Sequence, residues 1–524
     1  MRPACIALLG ALALMCSVRV AAVDYTRPVN GDCLQTGGAG TPAGAQLYPE
    51  QYMLVGDEQT QDGLSIQVES ARGFSVQYFS TYKVVTNHIV NETYVLFQCG
   101  ASAPDLTAFP EGAKFFQVPL TSISAPETTP YAFVDFLGLG DRVHDVSPYV
   151  TSACGQALLK CPARTSPDFT ALSNATLLDS SIGGSVDGVV VSEQYPYAKA
   201  FTVSAALDPG ALNRTEWVKF VALFFNLEKN ASDIFDAIQA RYEALKAKAA
   251  GAATKPVVAW AQHFQYDKDE NYQLSFAPYK AELTEDAGAA ILDRDALKAV
   301  AGVQGDSFDP TSLTLVYGWG AKGAFATKDE AKAAFLEALK KADVIIDETY
   351  SLAPLDYDNA AFLREYGLTA QEAASVPAIT GRKVFREDGL LSYSDAAGYS
   401  LDWFEGAIAR PDTVLMDIVR AASPDLAEPQ QAFTWIRNIA TEKPVVKGAD
   451  ACPVAEPCTA EPATICPFVQ LCTDGQAPAI LESSTNGQCQ YAPCGATNAA
   501  AAAAPALLLT VLVAATVELL LNFC

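Results

Sequence analysis

From residue 65 onward the chain carries short runs in which apolar and polar residues alternate. SIQVES, FSVQY, YKVVTN and TYVLFQ put every second side chain on one face, the pattern of strands in a hairpin sheet. FFQVPL follows as an apolar strand, and PYAFVDFLGLGDRV reads as a helix ending at Gly138 or Gly140. After Asn213 the period changes to that of a helix. Trp217, Phe220, Val221 and Phe224 fall at i, i+3, i+4, i+7, and Ile234, Phe235, Ile238, Tyr242 and Leu245 repeat the spacing. Unbroken over 216–246, such a helix is about 45 Å long and can cross from one domain to another. The asparagines at 226 and 230 weaken the run and mark where it can break.

Beyond Pro256, apolar strands and amphipathic helices alternate: VVAWA, a helix over 282–292, LTLVY, a helix over 328–341, then ADVIID. Continuous apolar strands separated by helices indicate a parallel sheet covered on both faces. Segments 400–408 and 413–421 read as closing helices. In open α/β sheets ligands sit beyond the C-terminal strand ends. Aromatic residues gather there: Trp260, His263, Phe264 and Tyr266 after one strand, Tyr317 and Trp319 after the next, Tyr350 after the third.

The two ends of the chain have a different character. The first 22 residues, with Arg2, an apolar run and Val20-Ala21-Ala22, have the form of a cleavable secretion signal. Residues 23–63 are rich in Gly, Pro, Thr and Gln without periodicity, a surface extension. Residues 496–524 combine small residues with an apolar tail that no basic residue follows. They fit a GPI-attachment signal or a single membrane span. Asn91, Asn174, Asn213 and Asn230 each open an Asn-x-Ser/Thr triplet, the glycan acceptor of a secreted chain.

Of 13 cysteines, three (Cys5, Cys16 and Cys524) lie in these terminal segments. Six others, Cys452, Cys458, Cys466, Cys472, Cys489 and Cys494, crowd into residues 450–495. Without a Cys-x-x-Cys pair or a nearby histidine they suit a disulfide-stapled stalk better than zinc. Cys154 and Cys161 are placed to close a small loop, leaving Cys33 and Cys99 for each other. A net charge of −25 opposes nucleic acid as a partner, because binding a phosphate backbone needs clustered Lys and Arg.

Gly-x-Gly-x-x-Gly, the phosphate-loop pattern and the Gly-x-Ser-x-Gly elbow are absent. With three histidines, His88, His144 and His263, the sequence supplies neither a catalytic triad nor a histidine-rich metal site. The expectation is a binding protein rather than an enzyme, with no catalytic residue, resident cofactor or metal.

The runs ARGFSVQYFSTYKVVTN, YVLFQCGASAP, FFQVPLTSISAPETTPYAFVDFLGLGDRVHDVS, NRTEWVKFVALFFNLEKNASDIFDAIQARYEALKAKA, KPVVAWAQHF, GRKVFREDG and DWFEGAIARPDTVLMDIV resemble, in order, the helical-backbone (class III) substrate-binding proteins of ABC importers, which carry siderophores and cobalamin. The resemblance covers residues 65–440. It implies two Rossmann-like α/β lobes (64–212 and 255–445) joined by a long helix (213–250), with ligand held between them. A leader, glycan sites and an anchor make the chain most similar to the members that serve vitamin B12 uptake in algae. That implies a surface receptor for cobalamin, with a ferric siderophore as the alternative ligand and an unidentified transporter as partner.

A corrinoid is broad, flat and ringed by amides, so it suits aromatic faces with a few polar groups. Trp260, Phe264, Trp319, Trp403 and Phe404 are the candidate faces. Glu405, in the Asp-Trp-Phe-Glu segment, is the candidate acceptor for the ligand's amides.

Overall fold

The computed structural model describes residues 65–452 except 80–81, 100–102, 163–173, 179–185, 267–268, 306–311, 321–322 and 428–431, together with four two-residue strands. Two of these, Cys33–Leu34 and Pro467–Phe468, pair in parallel. The other two, Ile480–Leu481 and Gln490–Tyr491, pair antiparallel. All four belong to a small unit drawn from residues 28–45, 98–103 and 463–524, and the rest of the description concerns the larger unit. The signal and anchor segments, and Cys458, Cys466, Cys472, Cys489 and Cys494, lie outside the described residues.

The first lobe carries two sheets. Strands β1 (Phe74–Tyr78), β2 (Tyr82–Asn87), β3 (Glu92–Gln98) and β4 (Lys114–Val118) lie side by side in that order. SIQVES is not part of this sheet. The N–H groups of Glu69, Ser70 and Ala71 donate to the Glu216 carboxylate, so these three donors are satisfied without a ladder. Next come β5 (Ile123–Ala125), helix α1 (Thr128–Phe136), β6 (Val143–Val146), α2 (Ala153–Leu159), β7 (Gly188–Val191) and β8 (Ala200–Thr202). The four strands form an all-parallel sheet in the order β6-β5-β7-β8. Helix α1 ends as its glycine requires, with Gly138 at φ +69° just beyond the cap.

Helices α3 (Ala211–Thr215), α4 (Trp217–Leu223) and α5 (Glu228–Ala249) follow. The break falls at Asn226, whose φ is +54°. Lys83 of β2 fixes it from within the fold. Its buried ammonium donates to Leu223 O and Asn226 Oδ1, both at 2.8 Å, and pairs with Glu228 at 2.6 Å. That contact satisfies a terminal carbonyl of α4 and balances the first acidic residue of α5 at once. At 22 residues, α5 is about 33 Å long. Its first half gives Ala231, Ile234, Phe235 and Ile238 to the core of the first lobe. Its second half gives Tyr242, Leu245 and Ala249 to a core of the second.

The second lobe is built on β9 (Val257–Tyr266), β10 (Asp269–Leu274), α6 (Pro278–Asp286), β11 (Ala290–Ile291), β12 (Gln304–Gly305), β13 (Leu315–Gly318), α7 (Lys328–Leu339), β14 (Val344–Asp347) and β15 (Val384–Arg386). Further along come β16 (Leu390–Ser394), β17 (Gly398–Leu401), α8 (Pro411–Ala422), β18 (Arg437–Asn438) and β19 (Val445–Lys447). The main sheet runs β12-β13-β10-β9-β14-β15-β18, with β11 beside the start of β9. Its centre, β9-β14-β15, is parallel as expected, and the short β11 pairs in parallel with the start of β9. Strand β9 does not stop at Ala261. It continues to Tyr266 and pairs antiparallel with β10, so LTLVY joins the sheet through an antiparallel neighbour. Segment 400–408 is likewise not one α-helix, but the end of β17 followed by two short 3₁₀ helices, Asp402–Phe404 and Gly406–Ala409. The fold is thus mixed α/β, with two lobes bridged by α5.

Candidate functional site

Where the two lobes meet, they leave a cavity of about 460 Å³ with a smaller apolar recess of about 100 Å³ beside it. Ala206 and Leu207, following β8, form the wall from the first lobe. Opposite stand Tyr279 at the start of α6 and the Trp403-Phe404 turn, and these aromatics line both spaces. Phe404, 57% exposed, is the apolar surface at the rim, and its carbonyl accepts from Thr129 Oγ1 of the first lobe at 2.8 Å. Leu283, Ile408 and Val414 line the recess.

The cavity floor is polar. Gln262 of β9, Gln273 of β10 and Lys280 of α6 meet Glu348 and Glu387, which directly follow β14 and β15. Because Asp347 and Arg386 are partners in adjacent parallel strands, the next residues, Glu348 and Glu387, leave the sheet edge together. Lys280 pairs with Glu348 and donates to Ser275 Oγ at 3.1 Å. Burial opposes its charge, but Glu348 overcomes this and raises the ammonium above its ordinary range. Glu387 is buried and its Oε2 has no hydrogen-bond partner. Burial, then the charge of Glu348, push its carboxyl well above the usual range, toward the neutral acid.

The other cation, Arg214 of α3, is already engaged. Its guanidinium lies 3.6 Å from the Tyr279 ring centroid and donates to Asp208 O and Ala206 O. Among the described lining residues, Arg214 and Lys280 are the only cations.

The expected aromatic face divides into three parts. Trp403 and Phe404 line the cavity. Trp260 does not: it sits in mid-strand, 1% exposed, donating through Nε1 to Thr284 Oγ1 at 3.0 Å, its ring 6.0 Å from that of Trp403. Its placement at the cleft mouth assumed a strand end that lies six residues further on. Trp319 packs on the opposite face of the sheet against Tyr272, 5.6 Å away, and Phe264 is half-buried along β9; neither lines the cavity.

Glu405 is also turned away from any ligand. It is buried and accepts from the N–H groups of Thr151 and Ser152, at 2.7 and 2.9 Å, at the start of α2. Beside it Asp402 accepts from Thr151 Oγ1, Trp435 Nε1 and Lys447 Nζ. The Asp-Trp-Phe-Glu segment thus sends its aromatics to the cavity and its carboxylates into the contact between lobes.

The disulfide expected between Cys154 and Cys161 is replaced by one joining Cys154 to Cys452, and Cys99 and Cys161 each take part in a disulfide of their own. Cys452 therefore belongs to the lobe contact and not to a stalk. Of the four acceptor asparagines, Asn91 at a hairpin turn and Asn174 are exposed. Asn213 is half-buried and donates through Nδ2 to Asp208, and Asn230 has its Nδ2 enclosed.

The cavity-floor residues Gln262, Lys280, Glu348 and Glu387 were not among the expected site residues. The available signal was positional, since Glu348 and Glu387 each stand at the C-terminal end of a central parallel strand.

No protein-family model matches the chain, and comparison with curated proteins finds no match. Several solved structures are similar to it. Ceue of Helicobacter pylori with Ni(II) bound is 16% identical, covering 60% of this chain and 88% of its own, with a TM-score of 0.38. The periplasmic heme-binding protein RhuT from Roseiflexus is 15% identical, covering 59% and 99%, at 0.37. A protein of an Fe3+-hydroxamate transport system from Saccharomonospora viridis is 14% identical, covering 58% and 94%, at 0.36.

Proposed function

We propose that this chain is a ligand-capture protein of the helical-backbone substrate-binding type, and that its ligand is cobalamin, taken up between the lobes for delivery to a transporter. The observation that carries the proposal is the composition of the interlobe cavity: an aromatic wall of Tyr279, Trp403 and Phe404 over a polar floor whose Lys280 is already neutralised by Glu348. A neutral, amide-ringed macrocycle matches such a surface. An anionic iron chelate calls for free cations, and both lining cations are engaged. A cavity of about 460 Å³ holds one edge of a corrinoid, the remainder lying over Phe404 and Leu207 at the rim.

The extracellular face of the plasma membrane, reached through the secretory pathway and held by a GPI anchor or single span, is the proposed location. Disulfides such as Cys154–Cys452 support it, because they form in oxidising compartments. Release from cells by phosphatidylinositol-specific phospholipase C tests the GPI form, and retention after full digestion favours the span.

Calorimetry on residues 23–495 with cyanocobalamin, a ferric hydroxamate and haem tests the ligand. Heat with cyanocobalamin at one-to-one stoichiometry is expected. Heat only with an iron ligand replaces the corrinoid by that ligand.

A further inference from the structure

The floor of the cavity contains a feature that ligand size and aromatic stacking leave unused. Glu348 and Glu387 emerge side by side from adjacent parallel strands, and Lys280, the cation of this floor, forms its ion pair with Glu348. Glu387 Oε2 is buried and lacks a partner, although a buried polar oxygen ordinarily has one. Glu387 is among the residues that line the cavity.

We infer that Glu387 and Glu348 together form a subsite that recognises a primary carboxamide of the ligand, Glu387 donating its acid proton to the amide carbonyl and Glu348 accepting from the amide N–H. This rests on the corrinoid reading above and adds to it which chemical group of the ligand the floor reads. The two acids divide the roles because only one of them is paired with a cation. Glu348, ion-paired with Lys280, offers its carboxylate oxygens as acceptors. Glu387, buried next to that negative charge, keeps its proton, which makes it a donor where a carboxylate could only accept. A carboxamide presents one acceptor and two donors, the complement of this pair. A ligand carboxylate in the same place would meet the charge of Glu348, and an ester would leave Glu348 without an N–H. The flanking Gln262 and Gln273 add neutral donors and acceptors, so the floor as a whole favours an uncharged group.

The test compares wild type, Glu387→Leu and Glu387→Gln against two probes, cyanocobalamin and the heptamethyl ester of cobyrinic acid, in which esters replace the peripheral amides. Melting curves confirm that each variant is folded. Wild type is expected to prefer cyanocobalamin, and Glu387→Leu to weaken its binding about tenfold, the cost of one buried hydrogen bond left unmade. Glu387→Gln, which restores a donor of the same shape, is expected to stay within about threefold of wild type. The ester keeps the carbonyl that Glu387 serves, so Glu387→Leu is expected to weaken its binding as well, while the wild-type preference for the amide reports the N–H accepted by Glu348. A merely structural Glu387 shifts melting without weakening either probe per folded molecule, and that result overturns the inference. So does a folded Glu387→Leu variant that holds cyanocobalamin as tightly as wild type, while leaving the corrinoid reading intact. Wild type that binds no corrinoid overturns both.

Discussion

Cys154 at the start of α2 and Cys452 beyond β19 are joined by a disulfide although 298 positions separate them in the chain. One belongs to the first lobe, and the other follows the last strand of the second, so the bond closes the lobe contact covalently. Around it the contact is polar and specific: Ser392 Oγ and Ser394 Oγ donate to Val150 O and Pro148 O, and Glu405 holds the first N–H groups of α2.

Removing this bond is expected to reduce stability by about 2–5 kcal/mol, because the crosslink closes a long loop in the unfolded chain. Cys154→Ala/Cys452→Ala should melt well below wild type, and a chain ending near Lys447 should behave alike. Peptide mapping without reductant should recover the Cys154–Cys452 pair. Equal melting of wild type and double variant would contradict the role given to the bond.

Glu405 makes the lobe contact sensitive to pH. Burial, with the neighbouring charge of Asp402, pushes its carboxyl up to about 8 despite two backbone donors, and Asp135, Tyr131 and Lys447 face the same cluster. A carboxyl whose folded value is raised binds its proton more tightly in the folded state. Its contribution is therefore fully present below the ordinary value of 4.5 and is lost as pH rises through about 8. Thermal melting of wild type should fall between pH 6 and 9, and Glu405→Gln should remove part of that slope. An identical slope in both would exclude Glu405 as its source.

Trp260 and Phe404 should separate folding from binding. Trp260→Ala empties a core site and is expected to cost about 3–5 kcal/mol of stability, with affinity per folded molecule little changed. Phe404→Ala removes an exposed side chain, so stability should hold within about 0.5 kcal/mol. Its affinity for cyanocobalamin should drop about tenfold, as befits an aromatic contact at the cavity rim. Reversal of this pattern, with Trp260 controlling affinity and Phe404 stability, would move the site.

Glycans should be found at Asn91 and Asn174 and be missing at Asn213 and Asn230. Mass spectrometry of peptides from the chain expressed through a eukaryotic secretory pathway, before and after enzymatic deglycosylation, reads occupancy at each position. Full occupancy at Asn213 would require its amide to leave Asp208.

The bridging helix was legible in the sequence because one apolar period serves both cores. Ile234 and Phe235 continue into Tyr242 and Leu245 at unbroken helical spacing, and the two asparagines marked the break that Asn226 makes. The centre of the second sheet was legible for a similar reason, since VIID is buried on both faces and reads as a continuous apolar run. Strand β10, with sequence DENYQL, carries no such run. Without it β9 appeared to end at Ala261, and Trp260 was misplaced accordingly. The floor acids were hidden because a glutamate after a strand looks the same whether it meets solvent or a cavity. Only the neighbouring strand and Lys280, brought in by α6, distinguish the two. Glu405 shows the converse, a residue at the expected position whose side chain is consumed by backbone donors of the other lobe.

Hydrogen exchange on residues 23–495, with and without cyanocobalamin, tests most directly whether a corrinoid sits between the lobes. Slower exchange is expected in 204–214, 275–287 and 401–411, the segments lining the cavity, with the surface around 110–114 and 194–196 unchanged. No protection in those three segments at saturating cyanocobalamin, or protection confined to the outer surface of the first lobe, would contradict an interlobe corrinoid site.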